Sequence, residues 1–96
     1  MHLLKVYELT HTCTTNADAV ALDVAVRKLL HAGESVKLDF HGITGMTTSF
    51  LNSSFGAWVE DFGFEALKGR IVLTNYTPFI AKFIRTYMDN CRFQGA

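Results

Sequence analysis

Neither charge is in excess: nine Lys and Arg stand against nine Asp and Glu in 96 residues. A nucleic-acid binder normally carries a strong basic surplus. Lys82, Arg85 and Arg92 are too few for a basic patch and read as a solvated helix face, so no nucleic-acid partner is expected. Long hydrophobic runs are missing too. No stretch approaches the roughly 18 apolar residues of a membrane span, so no membrane role is expected. The opening residues Met1 to Lys5 lack the charged n-region and cleavage-site pattern of a signal peptide. Cysteine is scarce: Cys13 and Cys91 form no C-x-x-C pair and read as free thiols of a reducing compartment. His11 and Cys13 lack a second pair of ligands, and His2, His31 and His41 have no ligand spacing, so neither metal nor other cofactor is expected. With no repeat, low-complexity tract or linker, the chain reads as one cytoplasmic domain over 1–96.

What is present is apolar: 49% of residues are hydrophobic. A chain of this length buries roughly 60–70% of its unfolded surface, enough for one core. Leu3 to Leu9 is rich in strand-favouring residues and predicts a strand. Thr15 and Asp18 have capping-box spacing, and the helix they open runs to about His31, with Gly33 placed to end it. Val36, Leu38 and Phe40 alternate with Lys37, Asp39 and His41, a period-2 strand. Gly42 and Gly45 then break the chain. A second helix starts near Thr47 or Thr48 and carries Leu51, Phe55, Trp58, Val59 and Phe62 to a stop at Gly63. Ile71 to Thr74 is a short apolar run of the kind buried on both faces. Thr77 and Pro78 open a last helix with Phe79, Ile80, Phe83, Ile84, Tyr87 and Met88 on one side and Lys82, Arg85 and Asp89 opposite.

The order β-α-β-α-β-α predicts an α/β layer fold. Its sheet should be mostly parallel, with helices mainly on one face. Functional groups in open α/β sheets gather beyond the carboxyl ends of the strands, here the segments 39–49 and 74–77. Thr47 or Thr48 serves at least as an N-cap, worth about 1 kcal/mol. Phe50 falls outside the apolar arc of its predicted helix, on the side of Ser53, Ala57 and Asp61. It is either tucked under the preceding loop or an exposed anchor for another protein. On the first long helix, Val20 and Val24 lie off the stripe of Leu22, Val26 and Leu29. Either a neighbouring helix covers them or they form a homodimer or partner contact.

The stretch Val36 to Leu51, reading VKLDFHGITGMTTSFL, resembles the STAS signature, a strand followed by a turn and an Asp-Ser-Ser-Gly-Leu helix start. It is similar above all to STAS-like domains of unknown function, and the likeness extends over about Val36 to Met88. The resemblance implies a regulatory domain of bacterial-type signalling that binds a histidine-kinase-type ATPase and is switched by phosphorylation. By position, the family Asp falls on Thr47, the phosphoacceptor Ser on Thr48 and the next Ser on Ser49. The family Gly is replaced by Phe50. Thr48, with Ser49 beside it, is thus the candidate phosphoacceptor. Thr47, Thr48, Phe50, Ser53 and Asp61 form the candidate partner-binding set.

Two other readings remain. Some STAS domains bind nucleotides, so the same helix start is a candidate phosphate site, though it lacks a G-x-x-x-x-G-K-[ST] cradle and a lysine. Asp39, His41 and Thr48 or Ser49 supply a carboxylate, a base and a nucleophile in name. Asp39 and His41 sit two apart on one strand with no evident pocket to gather them, so a non-enzymatic role is expected. Asp39 instead reads as solvated or bonded to its turn.

Overall fold

The computed structural model describes residues 1–95, with side chains described through Cys91; Arg92, one of the three basic residues weighed above, falls outside those side chains. Three parallel strands, β1 (His2–Lys5), β2 (Val36–Asp39) and β3 (Ile71–Thr74), lie in the order β1-β2-β3. The helices are α1 (Val6–Leu9), α2 (Asn16–His31), α3 (Thr48–Asn52), α4 (Phe55–Phe62), α5 (Phe64–Leu67) and α6 (Pro78–Gly95). Register aligns Leu4, Leu38 and Leu73 across the sheet, and likewise Leu3, Lys37 and Val72. Partners in a row share a face, so one face carries the buried Val36 and Leu38 and the other the exposed Leu3 and Lys37. The sheet is therefore covered on one side, as the alternation in β2 predicts.

Three expectations are corrected. The predicted first strand stops at Lys5, and Val6 to Leu9 form a helical turn closed by Thr10 N–H donating to the Val6 carbonyl at 2.8 Å. The ladder explains this: β1 pairs with β2 only as far as Lys5 opposite Asp39, so residues 6–9 satisfy their backbone internally. The predicted second helix is two helices, broken at Ser53 and Ser54. The buried Ser54 has φ −122° and ψ −93°, and its Oγ donates to the Phe50 carbonyl at 2.8 Å. Finally, β3 is half-buried at all four positions, because it forms an edge of the sheet and β2 the centre.

α2 follows its sequence signals closely. Thr15 Oγ1 accepts from Asp18 N–H at 3.1 Å and the Asp18 carboxylate accepts from Thr15 N–H at 3.2 Å, a complete capping box. Its far end closes with Glu34 N–H donating to the Leu29 carbonyl and Gly33 N–H to that of Leu30. This Schellman arrangement needs the left-handed φ of +80° at Gly33. Ala19, Leu22, Val26 and Leu30 pack into the core. Val20 and Val24 remain 56% and 65% exposed, so among the described residues no helix covers them. Trp58, Phe40, Phe50, Leu22, Leu38 and Leu51 are the largest fully buried side chains. Among the described residues no helix is long and apolar enough to cross a membrane.

Candidate functional site

The loop leaving β2 is pinned before it reaches α3. Ile43 and Met46 are buried, and Gly42 adopts φ +91° beneath the Tyr7 ring, where a Cβ would come within 3.1 Å. Thr47 then caps α3. Its Oγ1 accepts from Phe50 N–H at 3.3 Å and donates to the Thr14 carbonyl at 2.7 Å. Its own N–H donates to the Cys13 carbonyl at 3.1 Å. Both polar ends of Thr47 are thus engaged in holding α3 against the segment that precedes α2. Cys13 is fully buried; burial, reinforced by the Asp18 charge, pushes its thiol up to about 12.

Thr48 and Ser49, the next two residues, are exposed, and among the described residues their hydroxyls make no hydrogen bond. Thr48 borders an open groove of about 330 Å³ between α3 and α6, where it meets Asn52, Phe83, Thr86, Tyr87 and Asn90. Tyr87 donates its hydroxyl to Asn52 Oδ1 at 2.6 Å, and Gly56 leaves the space that this hydroxyl occupies. Burial, with a contribution from Cys91, pushes the Tyr87 phenol up to about 12, so it stays a neutral donor at ordinary pH. Phe83 and Thr86 also line a second groove with Phe79 and Lys82. The Phe79 and Phe83 rings stack with centroids 5.6 Å apart and planes 15° from parallel. One continuous face therefore runs from Thr48 across Phe83 to Phe79.

Only Thr48 of the expected partner-binding set lines this face. Phe50 is fully buried, which removes it as an exposed anchor. The break at Ser53 and Ser54 resets the helical phase, so α3 turns Phe50 and Leu51 inward while α4 buries Phe55 and Trp58. Ser53 donates to Asn16 Oδ1 at 3.0 Å. Asp61 pairs with Arg27 at 2.5 Å, and Arg27 also meets Asp23, which accepts from Trp58 Nε1 at 2.6 Å. Ser53 and Asp61 thus fasten α2 to the segment after the loop, away from the Thr48 groove. Phe79, on the apolar side of the predicted last helix, is 55% exposed. In the first turn of α6 only Ile80 is buried. A signal was available: Phe79, Ile80, Phe83, Ile84, Tyr87 and Met88 span about 180° at roughly 100° per residue, wider than a single core-facing stripe requires.

Asp39 and His41 belong to a different cleft, with Lys5, Tyr7, Glu8 and Asn75 at the carboxyl ends of the strands. Asp39 Oδ1 accepts from His41 N–H at 2.9 Å and from Asn75 Nδ2 at 3.2 Å. The His41 N–H, helped by Asn75, holds this carboxyl below the usual range. Asp39 ties its turn, and the nominal carboxylate, base and hydroxyl are divided between two clefts. His11 is exposed and donates from Nδ1 to the Tyr7 carbonyl at 2.8 Å. Among the described residues no group of three or more His, Cys, Asp or Glu could hold a metal ion.

The region from Leu22 in α2 to Ala81 in α6 matches the family model described as STAS-like domain of unknown function (DUF4325). Neither the curated proteins nor the solved structures contain a significant match. The matched residues 22–81 include the central strand, the Thr47–Ser49 helix start, β3 and the first turn of α6. By a match over more than half its length, on a one-sided parallel sheet, the chain belongs to the family of STAS-like domains of unknown function.

Proposed function

We propose that the domain is a non-enzymatic regulatory module that binds a protein partner, of the histidine-kinase-type ATPase class, through the face running from Thr48 to Phe79. One observation carries this reading: an exposed, unengaged Thr48 hydroxyl borders a groove whose Phe83 also belongs to the exposed Phe79 stack. Exposed aromatic rings supply large contact area at interfaces. None of the residues lining the Thr48 groove is charged. A phosphate on Thr48 would add a charge of about −1.5 to −2 at its rim, and an apolar contact there would then have to desolvate that charge. Thr47, at the family's Asp position, is consumed by the cap; of the two free hydroxyls that follow, Thr48 and Ser49, only Thr48 borders the groove, so the switch is assigned to it. The phosphate-binding reading gains no support: α3 is a five-residue helix, and the groove offers a bound phosphate no lysine or arginine.

The test pairs the purified chain with an ATPase of this class encoded beside it. Incubation with ATP should place phosphate on Thr48, read by mass spectrometry. Phe79→Ala and Thr48→Glu should each weaken the complex about tenfold or more, as loss of a central contact does. The reading fails if both variants bind like the parent and Thr48 stays unmodified.

A further inference from the structure

The other side of α6 presents a surface with a different chemistry. In the ladder with β2, Val36 donates to the Arg70 carbonyl and Phe40 to that of Thr74, with Val36 opposite Ile71 and Leu38 opposite Leu73. Parallel pairing in this register spends the N–H and C=O groups of Val72 and Thr74 on β2. The same groups of Ile71 and Leu73 point to the outer edge, where no group among the described residues pairs with them. Beside that edge opens an apolar groove of about 220 Å³, lined by the Ile71 and Leu73 side chains with Leu67, Ile84 and Met88. Nothing from β1, β2 or α2 borders it, which places it on the outer side of β3.

Proteins usually guard free strand edges with charge, proline or a bulge. β1, the other edge, carries His2 and Lys5, whereas Ile71-Val72-Leu73-Thr74 has no such guard. We propose that β3 is the seam of a two-fold homodimer, two copies pairing β3 against β3 antiparallel and closing their apolar grooves on each other.

The register is self-complementary. With Val72 of one copy opposite Val72 of the other, Ile71 of each faces Leu73 of its mate. Those are the residues whose backbone groups point outward, so both exchange N–H···O=C pairs and every edge group is satisfied. The central valines then occupy a non-hydrogen-bonded position, where side chains approach most closely. Two three-stranded sheets become one of six strands. Lys68, the charged residue on the groove, precedes the strand and comes toward the turn after Thr74 of the other copy, away from its own image. Closed two-fold symmetry is also the commonest solution among homo-oligomers.

Sedimentation velocity of the intact chain from low to high micromolar concentration, with amide exchange read by NMR, tests the seam. At high concentration the mass should be that of two chains, and Ile71 and Leu73 amides should slow. Val72 and Thr74 should be slow throughout. Among backbone groups Ile71→Pro removes only an outward N–H, at the first residue of the strand where proline is tolerated, and it also trims the Ile71 side chain from the groove. It should weaken association about tenfold or more, and Met88→Lys should do the same by placing charge in the groove. The double variant Val20→Lys, Val24→Lys should dimerise normally. The proposal is overturned by a single-chain mass at every concentration, or by fast Ile71 and Leu73 exchange within a dimer. A dimer lost only in the Val20, Val24 variant would move the contact to α2 and overturn it equally.

Discussion

The starts of α2 and α3 use the same device with opposite consequences. Thr15 and Thr47 adopt nearly identical backbone angles, φ −122° and ψ 165° against φ −122° and ψ 161°. Each accepts a hydrogen bond from the N–H three residues on. The difference lies in that third residue. At α2 it is Asp18, whose Oδ2 accepts from Thr12, Thr14 and Thr15 and closes the turn. At α3 it is Phe50, whose ring enters the core and returns no bond. The first start is a sealed polar knot. The second is anchored from below, leaving the hydroxyls of Thr48 and Ser49 outside. Placing an aromatic ring at the third position thus makes one helix start both firmly seated and chemically available.

Phe50→Ala attacks the anchor directly and should have the largest effect. Truncating a fully buried Phe costs about 3–5 kcal/mol, read as a fall in the urea midpoint; a loss below about 1 kcal/mol would put the ring at the surface. Removing the caps comes next. Thr15→Ala should cost about 1 kcal/mol and Thr47→Ala closer to 2, because Thr47 also ties α3 to the Thr14 carbonyl. Equal costs would mean that this tie contributes nothing.

Acid should then separate the two starts. The Thr12 hydroxyl, with the Thr14 and Thr15 N–H groups, holds the Asp18 carboxyl well below the usual carboxylate range. A depressed folded value means that the stabilisation is complete above the unfolded value, about 3.9, and fades as pH falls below it. Exchange at the Asp18 and Ala19 amides should rise in acid before exchange at Phe50 and Leu51, and Asp18→Asn should flatten the acid limb of the stability profile. Simultaneous loosening of both helices would show that the carboxylate is not what seals α2. The smallest effect belongs to Thr48→Ala, which should shift stability by no more than about 0.5 kcal/mol in the same urea titration. A larger loss would mean that Thr48 is structural.

The contrast also marks what a linear reading reaches. The Thr15–Asp18 box, the Gly33 stop and the period-2 strand at 36–40 are local signals, each carried by bonds among near neighbours, and the fold realises all three. Val6 to Leu9 look equally strand-like, yet whether they pair depends on how far β2 extends beside them, a fact of tertiary structure. Phe50 is ambiguous in the sequence, between a tucked and an exposed ring, for a related reason. A continuous helix over 47–62 puts it outside, and only the side-chain bond from Ser54 to the Phe50 carbonyl reveals the phase break. The resemblance singles out Thr48 only as a candidate. The groove beside it is not legible in the sequence, because Asn52, Phe83 and Tyr87 meet only when α6 returns across α3. Phe79 was readable in principle from the excess width of the apolar arc on α6.

The two cysteines give the molecule an address for chemistry. Cys13 is sealed beneath the joint between the two helix starts, with its thiol raised far from neutrality. Cys91 is only half-buried and stands at the end of the groove that begins at Thr48. A thiol-reactive dye applied to the native protein will therefore mark a single position, since thiolate access governs such coupling. That dye would sit within the recess proposed for the partner, so the unaltered sequence already carries an attachment point for an optical test of that proposal.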